Sequence, residues 1–217
     1  MNNARSEALP GKQLVERGAV GPSRFGAVMG PNAITRVAQA LTTEKGAGVC
    51  RETFAAAGIE RHLDAPPSRM VDEQHVASLH RALIERLGPA KAAMISREAG
   101  RLTGEYLLAK RIPRLAQTLL RRLPRRLTAH ILVRAIARNA WTFSGGGRFS
   151  FRFAHRMHLK LAGSPICRLL RTEEPACHYF VGAFERVFSE MLGPSVRVLE
   201  YECEAAGAAA CLFEVVW

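Results

Sequence analysis

No stretch of this 217-residue sequence carries the roughly 18 consecutive apolar residues that a bilayer span requires. The opening Met1-Asn2-Asn3-Ala4-Arg5 also lacks the apolar core of a secretory signal, so the expectation is a soluble, cytoplasmic protein. Missing too are a Cys-x-x-Cys redox pair, a phosphate-cradling loop and a Gly-x-Ser-x-Gly nucleophile elbow. Gly145-Gly146-Gly147 is no dinucleotide fingerprint, because no strand precedes it and a strand rather than a helix follows; it reads as a turn. The chain thus shows neither a nicotinamide nor a flavin motif. Cysteines are few (Cys50, Cys167, Cys177, Cys203 and Cys211), and without export features they read as reduced thiols or metal ligands rather than a disulfide framework. What is left is ordinary globular composition, 48% hydrophobic and 23% charged, which excludes a wholly disordered or collagenous chain.

Acidic residues are absent from one long segment. Between Tyr106 and Thr172 there are 15 Lys and Arg and no Asp or Glu, whereas the rest of the chain has 16 basic and all 19 acidic residues. The net charge of +12 therefore belongs to this segment, which folding can gather into a patch. Base-stacking aromatics are not interleaved with these cations, which speaks against nucleic acid and leaves an anionic ligand or an anionic membrane touched peripherally, such as the inner membrane.

Residues 1–29 hold four Gly and two Pro with little apolar periodicity and read as a flexible leader; a single domain is expected over 30–217, helical over 30–140. Pro31 opens a helix with Ile34, Val37 and Leu41 at helical spacing, stopped at Gly46–Gly48, and a short helix follows over 50–57. Asp72 caps a helix striped by Val76, Leu79, Leu83 and Leu87 and ended by Gly88-Pro89, after which another runs over 90–110. Pro113 and Pro124 precede two more, over 114–123 and 125–139. In the last, Arg126, His130, Arg134 and Arg138 recur every four residues beside Leu127, Ile131 and Ala135, which predicts an amphipathic helix with a basic edge.

Over 148–161 the period becomes two. Phe149, Phe151, Phe153, His155, Met157 and Leu159 alternate with a basic set, which predicts one long strand or a hairpin bent near Ala154-His155, with His155 on the apolar face. Pro175 starts a helix carrying Phe180, Phe184 and Phe188, closed by Gly193-Pro194. The last 22 residues read as a hairpin about Gly207 in which Leu199, Tyr201 and Cys203 share one face.

That hairpin sets Cys203 and Cys211 opposite each other, and Cys177 lies in the first turn of the helix before it, where helix N–H groups favour a thiolate. Three cysteines with nearby Glu200, Glu202 and His178 suffice for a four-ligand metal site; buried small hydrophobes are the alternative reading. The stripe Arg126, Arg134 and Arg138 is either a solvated face or a cationic wall for an anionic ligand.

The run Gly163-Ser164-Pro165, then Cys177-His178-Tyr179-Phe180-Val181-Gly182, then Glu200-Tyr201-Glu202-Cys203 before Gly207, then Cys211-Leu212-Phe213, resembles the 4-vinyl reductase domain family over about residues 75–217. Gly30-Pro31-Asn32-Ala33-Ile34 resembles the amino-terminal part of its bacteriochlorophyll-pathway members. The resemblance implies an α/β (α+β) fold, an antiparallel sheet packed on helices, similar to small-molecule sensor domains and a vesicle-tethering subunit. It also implies a structural zinc on Cys177, Glu200, Cys203 and Cys211. Glu200 and Cys203 have opposite parity in a regular strand, so a bulge or strong twist must bring both to one metal.

The family implies reduction of a vinyl group on divinyl protochlorophyllide or chlorophyllide, with other pigment-synthesis enzymes and a second copy of the chain as expected partners. Because no motif for a reductant is found, a tetrapyrrole-binding carrier or assistant suits the sequence better than a self-sufficient reductase. A reductase with an external reductant and a basic surface-binding module stand as alternatives. The expected pigment site is an apolar slot walled by Phe149, Phe151, Phe153, Phe180 and Phe184, with His155 able to ligate a central magnesium and Arg126, Arg134 and Arg138 facing a carboxylate.

Overall fold

The computed structural model describes residues 26–153 and 155–217. Two layers make the fold: a helical layer formed by the first two thirds of the chain and a four-stranded antiparallel sheet formed mostly by the last third. The expected leader, positions 1–29, lies outside the described residues as far as position 25. Its end does not behave as a leader: strand β1 (Val28–Met29) pairs with β2 (Val71–Asp72), and Met29 is fully buried.

Helix α1 (Asn32–Ala56) spans both expected helices, with a break at Gly46, whose φ of 86° is open to glycine without strain. A short α2 (Arg61–Asp64) follows. Asp72 caps α3 (Glu73–Leu87) as its sequence predicts, its side chain accepting the Gln74 N–H at 2.8 Å. Helix α4 runs Pro89–Lys110, and α5 (Arg114–Arg122) and α6 (Arg125–Arg138) follow, each preceded by its proline. On α6 the buried face is Thr128, Ala129, Leu132 and Val133, so the expected apolar row Leu127, Ile131 and Ala135 stands outward with the arginines. This helix has apolar residues on both sides, and burial went to the row that packs on β3 and α7.

Helix α7 (His178–Leu192) is apolar on nearly every side and accordingly sits at the centre, between α4 and the sheet. It begins three residues after Pro175, because the chain through Cys177 is drawn into the site described below. The α4–α7 crossing brings backbone against backbone. A Cβ on Gly100 would lie 2.0 Å from the Tyr179 carbonyl oxygen, and one on Gly182 would lie 2.1 Å from that of Arg97. Beside the crossing, the Tyr179 hydroxyl and Thr103 Oγ1 are 2.8 Å apart.

The sheet order is β3 (Arg148–Phe153), β4 (Met157–Ala162), β6 (Cys211–Val216), β5 (Arg197–Glu202). Phe153 pairs with Met157, so three residues form the turn and odd positions stay on one face across the hairpin. Met157, Leu159, Leu161, Cys211, Phe213 and Val215 form the buried face against α7. His155 is in the turn itself and is exposed, which corrects its expected place on the apolar face. In β5 the pairing passes from Glu200↔Phe213 to Glu202↔Leu212, a bulge at Tyr201. Before it, even positions point inward; after it, Cys203 does. Val198 and Cys203 are buried while Leu199 and Tyr201 are 54% and 48% exposed, so the expected shared face of Leu199, Tyr201 and Cys203 does not form.

Candidate functional site: a four-cysteine centre beside an aromatic slot

Four thiols converge where the end of the sheet meets the start of α7. Cys167 comes from a single 3-10 turn (Ile166–Leu169), Cys177 from the residue before α7, Cys203 from the end of β5 and Cys211 from the start of β6. All four are buried and free of disulfides, and their sulfurs lie within 4.8 Å of one another. Individual Sγ–Sγ separations are 3.2 Å for Cys167–Cys177, 3.3 Å for Cys177–Cys211, 3.6 Å for Cys167 to Cys203 and to Cys211, and 3.8 Å for Cys203–Cys211. Four sulfurs about 2.3 Å from a common tetrahedral centre would be about 3.8 Å apart. The spacing fits the zinc that the resemblance implies, slightly contracted.

Cys177, Cys203 and Cys211 therefore meet, and Cys167, absent from the expected ligand set, meets them. Glu200 adjoins the cluster from the same side, carried there by the bulge. Its Oε2 accepts the Cys177 backbone N–H at 2.8 Å, and its Oε1 is buried with no hydrogen-bond partner among the described residues. Burial, then the neighbouring Cys203, push this carboxyl up to about 9. A cation beside Oε1 would relieve that penalty, which is the second respect in which these residues fit a metal. The thiols do not behave alike. Cys203 accepts hydrogen bonds from the other three thiols and, at 3.4 Å, from the Ala176 N–H, which hold its pKa below the ordinary thiol range. Burial pushes Cys177 well above that range, outweighing the helix end that favours a thiolate. Cys50 is buried elsewhere, its sulfur against the Ala38 carbonyl oxygen at 3.7 Å.

The expected aromatic slot divides into a filled interior and an open rim. Inside, Phe180 stacks on Phe184 with centroids 6.1 Å apart, Phe149 lies 5.9 Å from Phe184, and Phe184 lies 5.7 Å from Phe213. These rings are buried against one another and leave no gap of macrocycle size between them. At the rim, Phe151 and Phe153 are half-buried. His130 of α6 lies edge-on to both, at 6.5 and 5.3 Å, and Trp217 lies 6.1 Å from Phe153. His130 takes the place against this strand face that the sequence assigns to His155. Arg126 and Arg134, one helical turn either side of His130, are exposed, as is Arg138. A separate surface groove of about 490 Å³ between α4 and α7 is lined by charged side chains and crossed by the Arg97–Glu185 ion pair at 2.7 Å.

A helical layer on an antiparallel sheet, with cysteines gathered at the hairpin end, is the arrangement of the 4-vinyl reductase domain, whose family model matches residues 157–216, from β4 to the end of β6. The same overall fold recurs in H-NOX domains. An H-NOX protein from S. oneidensis in the Fe(II)NO ligation state superposes with a TM-score of 0.52 at 13% identity, over 87% of this chain and 98% of that one. Another, from work on heme distortion in the H-NOX family, gives 0.52 at 15% identity over 86% and 93%. In sequence, the chain is 41% identical over 188 residues to the bacteriochlorophyll synthase 23 kDa chain of Cereibacter sphaeroides, covering 87% of this chain and 90% of the relative. It is 33% identical over 185 residues to the protein of that name from Rhodobacter capsulatus, covering 85% of each. The chain belongs to the bacteriochlorophyll synthase 23 kDa chain family, a family of bacteriochlorophyll synthesis.

Proposed function

We propose that the protein is a tetrapyrrole-binding carrier that holds divinyl protochlorophyllide or chlorophyllide for reduction of its vinyl group by a partner enzyme of pigment synthesis. The observation that carries this reading is the half-open rim of Phe151, Phe153, Trp217 and His130, flanked on α6 by exposed Arg126 and Arg134. A flat apolar macrocycle needs aromatic walls; its central magnesium accepts a neutral imidazole, and its carboxylate pairs with arginine. A fold shared with H-NOX proteins, one of which is described by its heme distortion, accords with a macrocycle of that shape. The cysteine centre has a different task. Cys167, Cys177, Cys203 and Cys211 would hold zinc with no open position, and Glu200 would sit outside the four sulfurs as an acceptor for the Cys177 N–H. Such a zinc contributes folding free energy and ties the terminal hairpin to α7.

The test is to incubate the purified protein with divinyl protochlorophyllide, with and without NADPH, and to record absorption spectra of bound pigment and product. Binding without turnover is expected. Turnover by the protein alone would make it the reductase, and no binding would remove the pigment site. In His130→Phe, the bound-pigment spectrum should shift and affinity fall about tenfold, as loss of one metal ligand or hydrogen bond implies; an unchanged spectrum and affinity would take His130 out of the site.

A further inference from the structure

We propose that the outward faces of α5 and α6 form a docking surface for an anionic membrane. The inference is independent of the pigment reading. On α5 the chain leaves two leucines in water: Leu115 is 86% exposed and Leu119 62%. On α6, Leu127 and Ile131 are 47% and 41% exposed. Single exposed leucines are ordinary on a protein surface. Four large aliphatic side chains on the outer faces of two consecutive helices, set among arginines, form a pattern found on helices that lie in a membrane interface.

The charge around them is of one sign. Arg114, Arg122, Arg125, Arg126, Arg134 and Arg138 are exposed on the same two helices, and among the described residues none of them forms an ion pair. Arg121 alone in this stretch meets a carboxylate, that of Glu190 on α7. Because no Asp or Glu occurs between Tyr106 and Thr172, the surface has no acid of its own to neutralise it. Long arginine stems let the guanidinium groups sit at headgroup level while the neighbouring leucines enter the acyl boundary. The grooves of about 490 and 370 Å³ lie elsewhere, between α4 and α7 and around His62 and His75. The four aliphatic side chains project from helix surfaces instead of lining a trough, which favours a fluid lipid surface over a partner helix.

The full-length protein is co-sedimented with vesicles of phosphatidylcholine and with vesicles containing phosphatidylglycerol. Binding to the anionic vesicles at least about tenfold tighter than to the zwitterionic ones is expected, weakening as added salt shortens the screening length. Replacing the four aliphatics together (L115S, L119S, L127S, I131S) should weaken anionic-vesicle binding about tenfold or more without lowering the melting temperature. Replacing Arg126, Arg134 and Arg138 by Ala should flatten the salt dependence. Failure to bind phosphatidylglycerol vesicles, or wild-type binding by the quadruple serine variant, would overturn the proposal. Binding to soluble polyglutamate as tight as to vesicles, and indifferent to the serine substitutions, would assign the surface to an acidic protein and overturn it equally.

Discussion

At the four-cysteine centre, polar donors are buried where water cannot reach them; on α5 and α6, leucines stand in water where no described residue covers them. A buried thiol or carboxylate must find its partners inside the protein, so damage there is felt as lost stability. An exposed leucine finds its partner outside, so damage there is felt as lost association and leaves the fold alone. The basic segment between Tyr106 and Thr172 reaches both regions, since it ends with Cys167 inside the sulfur cluster after supplying the arginines of α6.

The contrast is broken most forcefully at the sulfurs. Cys203→Ala and Cys211→Ala should give insoluble protein or lower the melting temperature by well over 10 °C, with zinc lost in parallel, because structural zinc binding amounts to roughly 10 kcal/mol or more. Elemental analysis of wild-type protein purified without chelator should find one zinc per chain. A folded, zinc-free protein with an unchanged melting curve would show that the four cysteines are only packing. Next in size is Gly182→Ala, whose new Cβ meets the Arg97 carbonyl oxygen at 2.1 Å with no flexible side chain to yield. It should destabilise by about 3 kcal/mol in urea melts; a loss below about 0.5 kcal/mol would show that the α4–α7 crossing relaxes freely.

The smallest effect concerns His80, which is buried beside Ser96, with Nε2 lacking a partner among the described residues. Burial, helped by His178, holds its pKa down to about 4 from the ordinary 6.5. The unfolded chain therefore takes up the proton first as pH falls, and the stability present at neutral pH is lost between about pH 6.5 and pH 4. At pH 5 the loss is about 2 kcal/mol. His80→Leu should remove that part of the acid sensitivity, which urea melts of both proteins at pH 7 and pH 5 would measure; identical pH slopes would place the acid-sensitive group elsewhere.

Much of this arrangement can be read from local chemistry. Asp72 announces α3, Pro89, Pro113 and Pro124 announce the next three helices, and period two announces the β3–β4 hairpin. The opposite parity of Glu200 and Cys203 foretells the bulge at Tyr201 that the register contains. What escaped notice lacks a periodic signal or has an ambiguous one. Cys167 lies in an irregular turn, and no spacing rule links it to Cys177 ten residues on, although its presence between the Ser-Pro loop and α7 could have raised it. His155 continued the odd alternation because a three-residue turn preserves parity, so period two could not distinguish strand from turn. On α6, rows 127–131–135 and 128–132 are both apolar, and only the packing of β3 and α7 decides which is covered. Gly100 and Gly182, the residues that let α4 and α7 touch, read in sequence merely as weak helix formers.

The bulge at Tyr201 also makes this strand sensitive to length in a way that substitution scanning would never reveal. Every side chain from Arg197 to Glu200 is placed by counting back from it, so deleting one residue there would restore even alternation and force a choice between two chemistries. With Cys203 kept at the sulfurs, Val198 would rotate into solvent, Leu199 would be driven under the sheet and the Glu200 carboxylate would swing away from the Cys177 amide. Natural variation across β5 should therefore be rich in exchanges at Leu199 and Tyr201 and poor in insertions or deletions, whereas the β3–β4 turn, outside the core, should absorb added residues in pairs.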